Sequence, residues 1–524
     1  MKILTYLYLL LVLVLTGCSS YLEEYSQDQY RASSYTDLDE LLLGACYYPV
    51  KNSESITASK SMGAFIHFIA DEMEEQNGGV SGQYAYDIKQ SVFGQYTWQE
   101  RVGVNESNTS FAAENGTWTE SYKYINVANS IIASAAKLPR NTPDEIQGAA
   151  RVEGEARFLR AAYYFWLVNL YGKPYTATTA GTDLGVPLKL QEEVLDILYS
   201  RNTVQEVYDQ ILLDLMEAAQ LLNDSTPRKS IYRADQATVH LLLSRVHLYM
   251  QHWEQALNYA DLVIAVRPSL LDLNASQEPF LRKESVENIF SMGGNEVSRN
   301  MCNSVQSFRV SHDLHNTYND DDLRKSNWYW SMGDFVGYTK TIPAGGRTNR
   351  SDLDYYIEQY FTRPYTSSLY PVSDKFLYRT AEAYLNKAEA AAYLGRDDEA
   401  RSVVNTLRRN RYRAGAAYQV TVNGVELIRN IREERRRELA LEGHRWFDLR
   451  RYGVNVILPE SKRIVHNYSI YTERNSQTIR ERRQYVLESN DPAYTLPIPQ
   501  SVIDFNTGMI GNERPARTFI LLPL

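Results

Sequence analysis

The stretch IRNIREERRRELALEGHRWFDLRR, residues 428–451, combines an apolar helical pattern with a dense run of charge. Ile428, Ile431 and Leu439 fall on nearly one face of a helix, and Gly443 follows where a helix end favours a left-handed residue. The interleaved glutamates and arginines leave two structural interpretations open. The first is a solvated face with ion pairs between neighbouring turns, and the second is a partly buried ion network that docks this segment onto earlier helices. Both are favoured over a catalytic role.

Helix pairs with small residues at their contacts recur along the chain. Thr203 opens a capping box that predicts the start of a helix. Apolar and Ala spacing predicts two clear helix pairs, residues 237–250 with 253–266 and residues 376–394 with 398–409. Ala at facing positions lets helices approach closely, as in tetratricopeptide units. The sequence therefore predicts a mainly α fold on a tetratricopeptide-like helical repeat scaffold of about four pairs.

Three long segments interrupt the helical pattern. They cover about residues 76–112, 267–373 and 453–495, are rich in Gly, Asn, Ser, Asp and Tyr, and show no sustained periodicity. Loops of this length within a compact domain are usually functional or disordered. We therefore expect long irregular loops, with a role in ligand binding, in a single domain that covers residues 36–524.

The first residues are typical of a targeting segment. Lys2 precedes an almost unbroken apolar run over residues 3–15, which is shorter than the ~20 residues of a transmembrane helix. Leu-Thr-Gly-Cys at residues 15–18 then has the pattern of a lipobox. The sequence predicts a lipoprotein signal peptide over residues 1–17, a lipid on Cys18, and a tether over residues 18–35 that holds the protein on a membrane.

Composition and motifs argue against several functional classes. The formal net charge is −9, and a phosphate-binding face would need an excess of basic residues, so nucleic acid is not the expected partner. The sequence has no GxSxG, GxGxxG, Walker A or HExxH motif, and we expect no catalytic residues, cofactor or metal site. Asp320 to Asp322 are better explained by a helix cap or a salt bridge to Arg324 than by calcium binding. Cys46 and Cys302 are expected to be free and buried.

Aromatic side chains concentrate in two of the long segments. The candidate ligand-binding residues are Tyr84, Tyr86, Tyr96 and Trp98, with Arg101 as a hydrogen-bonding fork, and Trp328 and Trp330 beside Tyr329. Trp and Tyr rings can stack on the apolar faces of sugar rings, while polar neighbours bond the hydroxyls. We hypothesise that the two clusters converge on one face as a binding platform. The alternative is that one or both anchor their loops to the scaffold.

Four segments in order resemble the SusD/RagB family of Bacteroidetes outer-membrane lipoproteins. These are GTWTESYKYINVANSII (116–132), EARFLRAAYYFWLVNLYGKPY (155–175), RRRELALEGHRWFDLRRYG (435–453) and LPIPQSVIDFN (496–506). Glu23 and Glu24 likewise resemble the acidic export signal of surface-exposed lipoproteins in this phylum.

The resemblance implies a surface glycan-binding lipoprotein without enzymatic activity. Such a protein lies over a SusC-like TonB-dependent barrel in the outer membrane and passes oligosaccharide to it. The resemblance also includes family members that handle peptides, so a RagB-type peptide lid is one alternative. A non-catalytic tetratricopeptide scaffold that binds protein segments is another.

Overall fold

The computed structural model describes residues 32–50, 62–76, 83–109, 114–193, 195–223, 230–276, 278–295, 297, 307–338, 340, 372–474 and 476–524. The predicted signal peptide, Cys18, Cys302 and most of the predicted tether lie outside these residues. Cys46 is free and buried, as predicted. Among the described residues, none of the helices has both the length and the apolar character that a membrane crossing needs.

Helices dominate the described chain. They are α1 (Tyr35–Leu41), α2 (Gln83–Ser91), α3 (Phe93–Tyr96), α4 (Gly116–Ala135), α5 (Pro143–Tyr171), α6 (Val204–Leu221), α7 (Gln236–Tyr249), α8 (Trp253–Val266), α9 (His312–His315), α10 (Leu323–Trp328), α11 (Thr380–Tyr393), α12 (Asp397–Arg409), α13 (Gly424–Glu438), α14 (Arg445–Gly453) and α15 (Gln500–Phe505). The strands are β1 (Met73–Glu75), β2 (Asn288–Ser291), β3 (Phe308–Val310), β4 (Tyr329–Met332), β5 (Phe335–Tyr338), β6 (Leu377–Arg379), β7 (Ile464–Tyr471), β8 (Ile479–Leu487) and β9 (Ile520–Leu522).

The long helices form one continuous stack. Each helix from α4 to α8 packs on the next, α8 packs on α11, and α11 packs on both α12 and α13. Small buried residues lie at these contacts, and the Ser244 hydroxyl donates across the α7–α8 contact to the Ala256 carbonyl at 2.7 Å. The predicted mainly α, tetratricopeptide-like architecture is confirmed.

Helix starts follow local capping chemistry. The Thr203 hydroxyl accepts from the Glu206 backbone N–H, as the capping box predicts. Asp322 caps α10 and pairs with Arg324, which confirms the structural interpretation of the acidic run. The first helix begins after Ser34, whose backbone is extended and whose side chain forms a capping box with Asp37.

The predicted irregular segments contain more regular structure than their sequences suggest. α2 and α3 lie within residues 76–112, and short strands and helices lie within the described part of 267–373. Residues 453–495 contain the antiparallel pair β7–β8, with β9 added on its outer side. The prediction of irregular structure there was wrong, because the Arg and Glu residues of β8 obscure the strand alternation. The single-domain division stays a prediction.

Residues 428–451 form part of a buried ion network. The Glu438 carboxylate accepts from Arg324, Arg379 and Arg411 at 2.6–2.9 Å, and all four side chains are at most 1% exposed. The second sequence interpretation is therefore correct, and the solvated-face interpretation is wrong. Gly443 has a positive φ of 76°, but α13 already ends at Glu438, so Gly443 belongs to the turn that leads into α14.

Candidate functional site

Tyr96 and Trp98 lie in the core, on either side of an imidazole. Their rings stack on His466 of β7 with centroid distances of 4.1 and 4.4 Å. Trp98 is 1% exposed, and its Nε1 donates to the Ile69 carbonyl at 3.0 Å. Burial lowers the pKa of His466 to about 4, so the imidazole is neutral at physiological pH. These rings hold the first aromatic segment against β7 and present no open face to a ligand.

Tyr86 and Arg101, which belong to the first cluster, already have protein partners. Tyr86 is half-buried, packs against Tyr471, and donates to Glu106 Oε1 at 3.2 Å. Arg101 is occupied by the Glu114 carboxylate, with Nε to Oε1 at 3.1 Å. The side chain of Tyr84 lies outside the described residues.

Trp328 and Tyr329 are also enclosed. Trp328 is 0% exposed and lies between the Phe280 ring, at 4.7 Å, and the Lys340 ammonium, whose Nζ is 4.0 Å from the ring centroid. The Tyr329 and Tyr318 hydroxyls are 3.0 Å apart. The expected exposed platform is therefore not formed by Tyr96, Trp98 and Trp328, because their ring faces already contact protein. A role for these residues in ligand binding stays a prediction.

Trp330 differs from the other two candidate tryptophans, Trp98 and Trp328, because it is half-buried and lies on a hairpin. β4 and β5 pair antiparallel with Trp330 opposite Gly337, and the indole packs on Phe335 at 5.3 Å. The indole crosses the position that a Cβ on residue 337 would occupy. Gly337 therefore allows the Trp330 ring to lie flat across its own hairpin.

A polar cluster is attached to the same hairpin. Arg309, which is largely buried, donates from Nε to Glu74 Oε1 at 2.9 Å and from Nη1 to both carbonyl and carboxylate oxygens of Asp334. His312 lies between the same two carboxylates, with Nδ1 2.7 Å from Glu74 and Nε2 3.4 Å from Asp334. The Asp334 side chain is 58% exposed, so hydrogen-bonding oxygen faces solvent beside the tryptophan hairpin.

Sequence reasoning missed all four polar residues. They come from β1, from β3 with the start of α9, and from the β4–β5 turn, and they share no motif. Strand register brings them together, since Glu74 lies directly opposite Arg309 in the β1–β3 pair. That pairing joins residues 235 positions apart, and no local pattern reports it.

The described residues show no group of His, Cys, Asp and Glu able to hold a metal ion. Fold and site together define a class of mainly α proteins in which a tetratricopeptide-like stack carries aromatic and polar groups on the segments between its helices.

Two family models match successive parts of the chain. A SusD-like model, described as starch-binding associating with outer membrane, matches residues 49–248, and the SusD family model matches residues 315–514. Together they span most of the sequence, and they include all or part of each segment that carried the resemblance. The chain belongs to the SusD family.

Relatives and solved structures agree with this assignment. The chain is 26% identical to SusD-like protein P38 of Formosa agariphila, over 70% of this chain and 80% of that protein. Its fold is similar to a SusD superfamily protein from Bacteroides thetaiotaomicron VPI-5482, with a TM-score of 0.66, 21% identity and coverage of 92% and 100% of the two chains. A protein described as a putative sugar binding protein, from Bacteroides vulgatus ATCC 8482, also gives a TM-score of 0.66, at 20% identity and coverage of 92% and 99%.

Proposed function

We propose that this protein is a surface glycan-binding lipoprotein, which captures oligosaccharide and delivers it to a SusC-like TonB-dependent transporter of the outer membrane. Membership of the SusD family supports the general role, since one matching family model is described as starch-binding and a structure with a similar fold as a putative sugar binding protein. The lipid on Cys18 would hold the protein on the outer face of that membrane.

The Trp330 hairpin is the observation that carries the proposal. Trp330 is half-buried, so part of this residue reaches solvent; the exposed Asp334 carboxylate lies on the β4–β5 turn, and the His312 imidazole, at the start of α9, lies against that carboxylate. A sugar ring needs this combination, because its C–H face is apolar and its hydroxyls require hydrogen-bond partners. The Arg309 guanidinium holds Glu74 and Asp334 in place, so the partners are arranged before ligand arrives.

Binding rather than hydrolysis is the proposed activity. A glycosidase needs one carboxylic acid able to give a proton to the leaving group, with a second carboxylate across the scissile bond. Glu74 and Asp334 instead both form ion pairs with the Arg309 guanidinium. Incubation of the protein with the oligosaccharide that it binds should leave that oligosaccharide intact by chromatography.

Calorimetry with the full-length chain tests the binding proposal. The panel holds neutral plant, host and microbial oligosaccharides together with peptides. Trp330→Ala should weaken binding of the recognised oligosaccharide at least tenfold, about 1.4 kcal/mol, because it removes the only half-buried ring of the predicted Trp–Tyr–Trp cluster. Trp253→Ala, at another half-buried tryptophan on α8 of the scaffold, should leave the affinity unchanged.

The other variants separate the alternatives. Trp98→Ala and Trp328→Ala should lower the free energy of unfolding by roughly 3–5 kcal/mol, because each removes a buried tryptophan side chain. The stability of these two variants is therefore measured by denaturation before their affinity is compared. Oligosaccharide binding that survives Trp330→Ala would contradict the assigned site. A peptide signal lost in Trp253→Ala would instead favour the scaffold function.

Membrane anchoring is tested separately, since Cys18→Ala should abolish palmitate labelling and release the protein from membranes.

A further inference from the structure

A second candidate site lies beside the end of α14. A cavity of about 440 Å³ is lined there by Leu449, Arg450, Asn490, Tyr494 and Glu513, with Lys173 at its edge. Its volume falls within the roughly 300–1,000 Å³ typical of small-molecule sites. The proposed glycan site involves none of these residues.

Arg450 is the unusual member of the cavity wall. Its side chain is buried, with 4% of the residue exposed, and Nη2 donates to the Gly172 carbonyl and to Thr495 Oγ1. Nε has no hydrogen-bond partner, and no carboxylate of the described residues lies within ion-pair distance. The neighbouring buried arginines differ, because Arg445 pairs with Asp71 and Arg451 pairs with Glu389. A buried guanidinium without a counterion is costly, and native sites usually supply one.

Two further buried arginines near the cavity also lack a paired carboxylate among the described residues. Arg514 donates to the Thr495 carbonyl at 3.3 Å, and its Nε is without a partner. Arg201 bonds backbone carbonyls and Asn512 Oδ1 at 2.9 Å. Burial lowers the pKa of Arg450 to about 10 and that of Arg514 to about 9, so both remain charged at neutral pH.

The acidic groups at the cavity do not cancel this charge. Asp491 accepts from Nη1 and Nη2 of Arg517 at 2.7 and 2.9 Å, so its negative charge is already matched. Glu513 is exposed at the rim, and Lys173 pairs with Asp183 at 2.8 Å. The interior of the cavity is therefore electropositive, in a protein whose overall charge is negative.

We propose that this cavity binds an acidic saccharide, with the carboxylate of a uronic acid residue against Arg450. The saccharide part rests on the proposed function, while the anionic part rests on the unpaired arginine. The Asn490 amide and the Ser461 hydroxyl suit sugar hydroxyls, and Leu449 and Tyr494 supply apolar surface. The bound carboxylate provides the counterion that Arg450 lacks.

The test compares glucuronate with glucose, using calorimetry and thermal shift on the full-length chain at constant ionic strength. Glucuronate should bind and raise the melting temperature, and glucose should bind at least tenfold more weakly. Arg450→Gln should weaken glucuronate binding at least tenfold. Arg463→Gln, which removes an exposed arginine outside the cavity, is the matched control and should bind as the parent chain does.

A second variant covers the case in which Arg450→Gln fails to fold. Val454→Trp fills part of the cavity while keeping Arg450, and it should also abolish glucuronate binding. Equal binding of glucose and glucuronate, or unchanged glucuronate binding in either cavity variant, would overturn the proposal. Trp330→Ala should leave the glucuronate signal intact, so failure of the glycan site and failure of this site are seen in different variants.

Discussion

Around α13, single buried carboxylates each form ion pairs with several arginines. Glu438 receives three guanidinium groups, and Glu434 receives another set from Arg324, Arg408 and Arg437. Taking so many charges out of water is costly, and their mutual pairing offsets that cost only while every partner is present. Removing one member therefore leaves buried charge without compensation.

Glu438→Gln should show this directly. The amide keeps the shape of the side chain but removes the charge that three arginines share, and we expect a loss of about 3–5 kcal/mol in the free energy of unfolding. Glu433→Gln, on the same helix but with 48% of its side chain exposed and 3.9 Å from Arg436, should cost less than about 0.5 kcal/mol. Urea denaturation measures both, and equal losses would contradict a network that stabilises through burial.

Glu72 should make stability depend on pH in a defined direction. Burial raises the pKa of Glu72 to about 7, although the carboxylate accepts from the Leu441 N–H at 2.9 Å. The folded state therefore keeps a proton that the unfolded chain releases near its ordinary pKa of 4.5. The contribution of this group to stability is full below pH 4.5 and is lost as the pH rises to about 7, by roughly 3 kcal/mol.

The Glu72→Gln variant removes that titration while keeping an acceptor for the Leu441 N–H. Its stability relative to the parent chain should therefore rise between pH 4.5 and 8. Urea denaturation across this range provides the measurement. A stability difference that stays constant with pH would show that Glu72 is ionised in the folded protein.

At the level of elements, the position of Trp330 in the proposed glycan site depends on Gly337, which lies opposite it in the β4–β5 hairpin. A Cβ on residue 337 would overlap the Trp330 indole and come within 2.9 Å of Phe335 Cε1. Gly337→Ala should displace the indole and weaken oligosaccharide binding several-fold in calorimetry. The same change in a Trp330→Ala background should have no further effect on affinity, because the overlapping ring is gone. Additive effects in the two backgrounds would contradict the coupling.

Elements also show which part of the fold is visible in sequence. The helices α6, α7, α8, α11 and α12 follow from apolar spacing, because the contacts that shape them lie within one or two turns. β1 and β3 are three-residue strands that pair across more than two hundred positions, and short strands with such partners leave no local pattern. The cluster of four polar residues beside Trp330 depends on that pairing, so it could not be predicted from the sequence either.

At the scale of the whole molecule, the sequence shows which segments are rich in charged or aromatic residues, but not where those side chains lie in the fold. The sequence allowed a buried network around residues 428–451 as one of two interpretations, and only the positions of Arg324, Arg379 and Arg411 decide between them. The sequence also indicated two aromatic clusters as candidate binding residues, and their role in ligand binding stays a prediction. Which rings face solvent depends on neighbours such as His466 and Phe280, which are far away in the chain.

The buried network also makes the early helices depend on residues much later in the chain. Glu287 is fully buried, and its partners Arg379 and Arg411 lie 92 and 124 residues later. A chain that ends before these arginines cannot close over the Glu287 carboxylate without burying an unpaired charge. We therefore expect such a truncated chain to keep an open, protease-sensitive core.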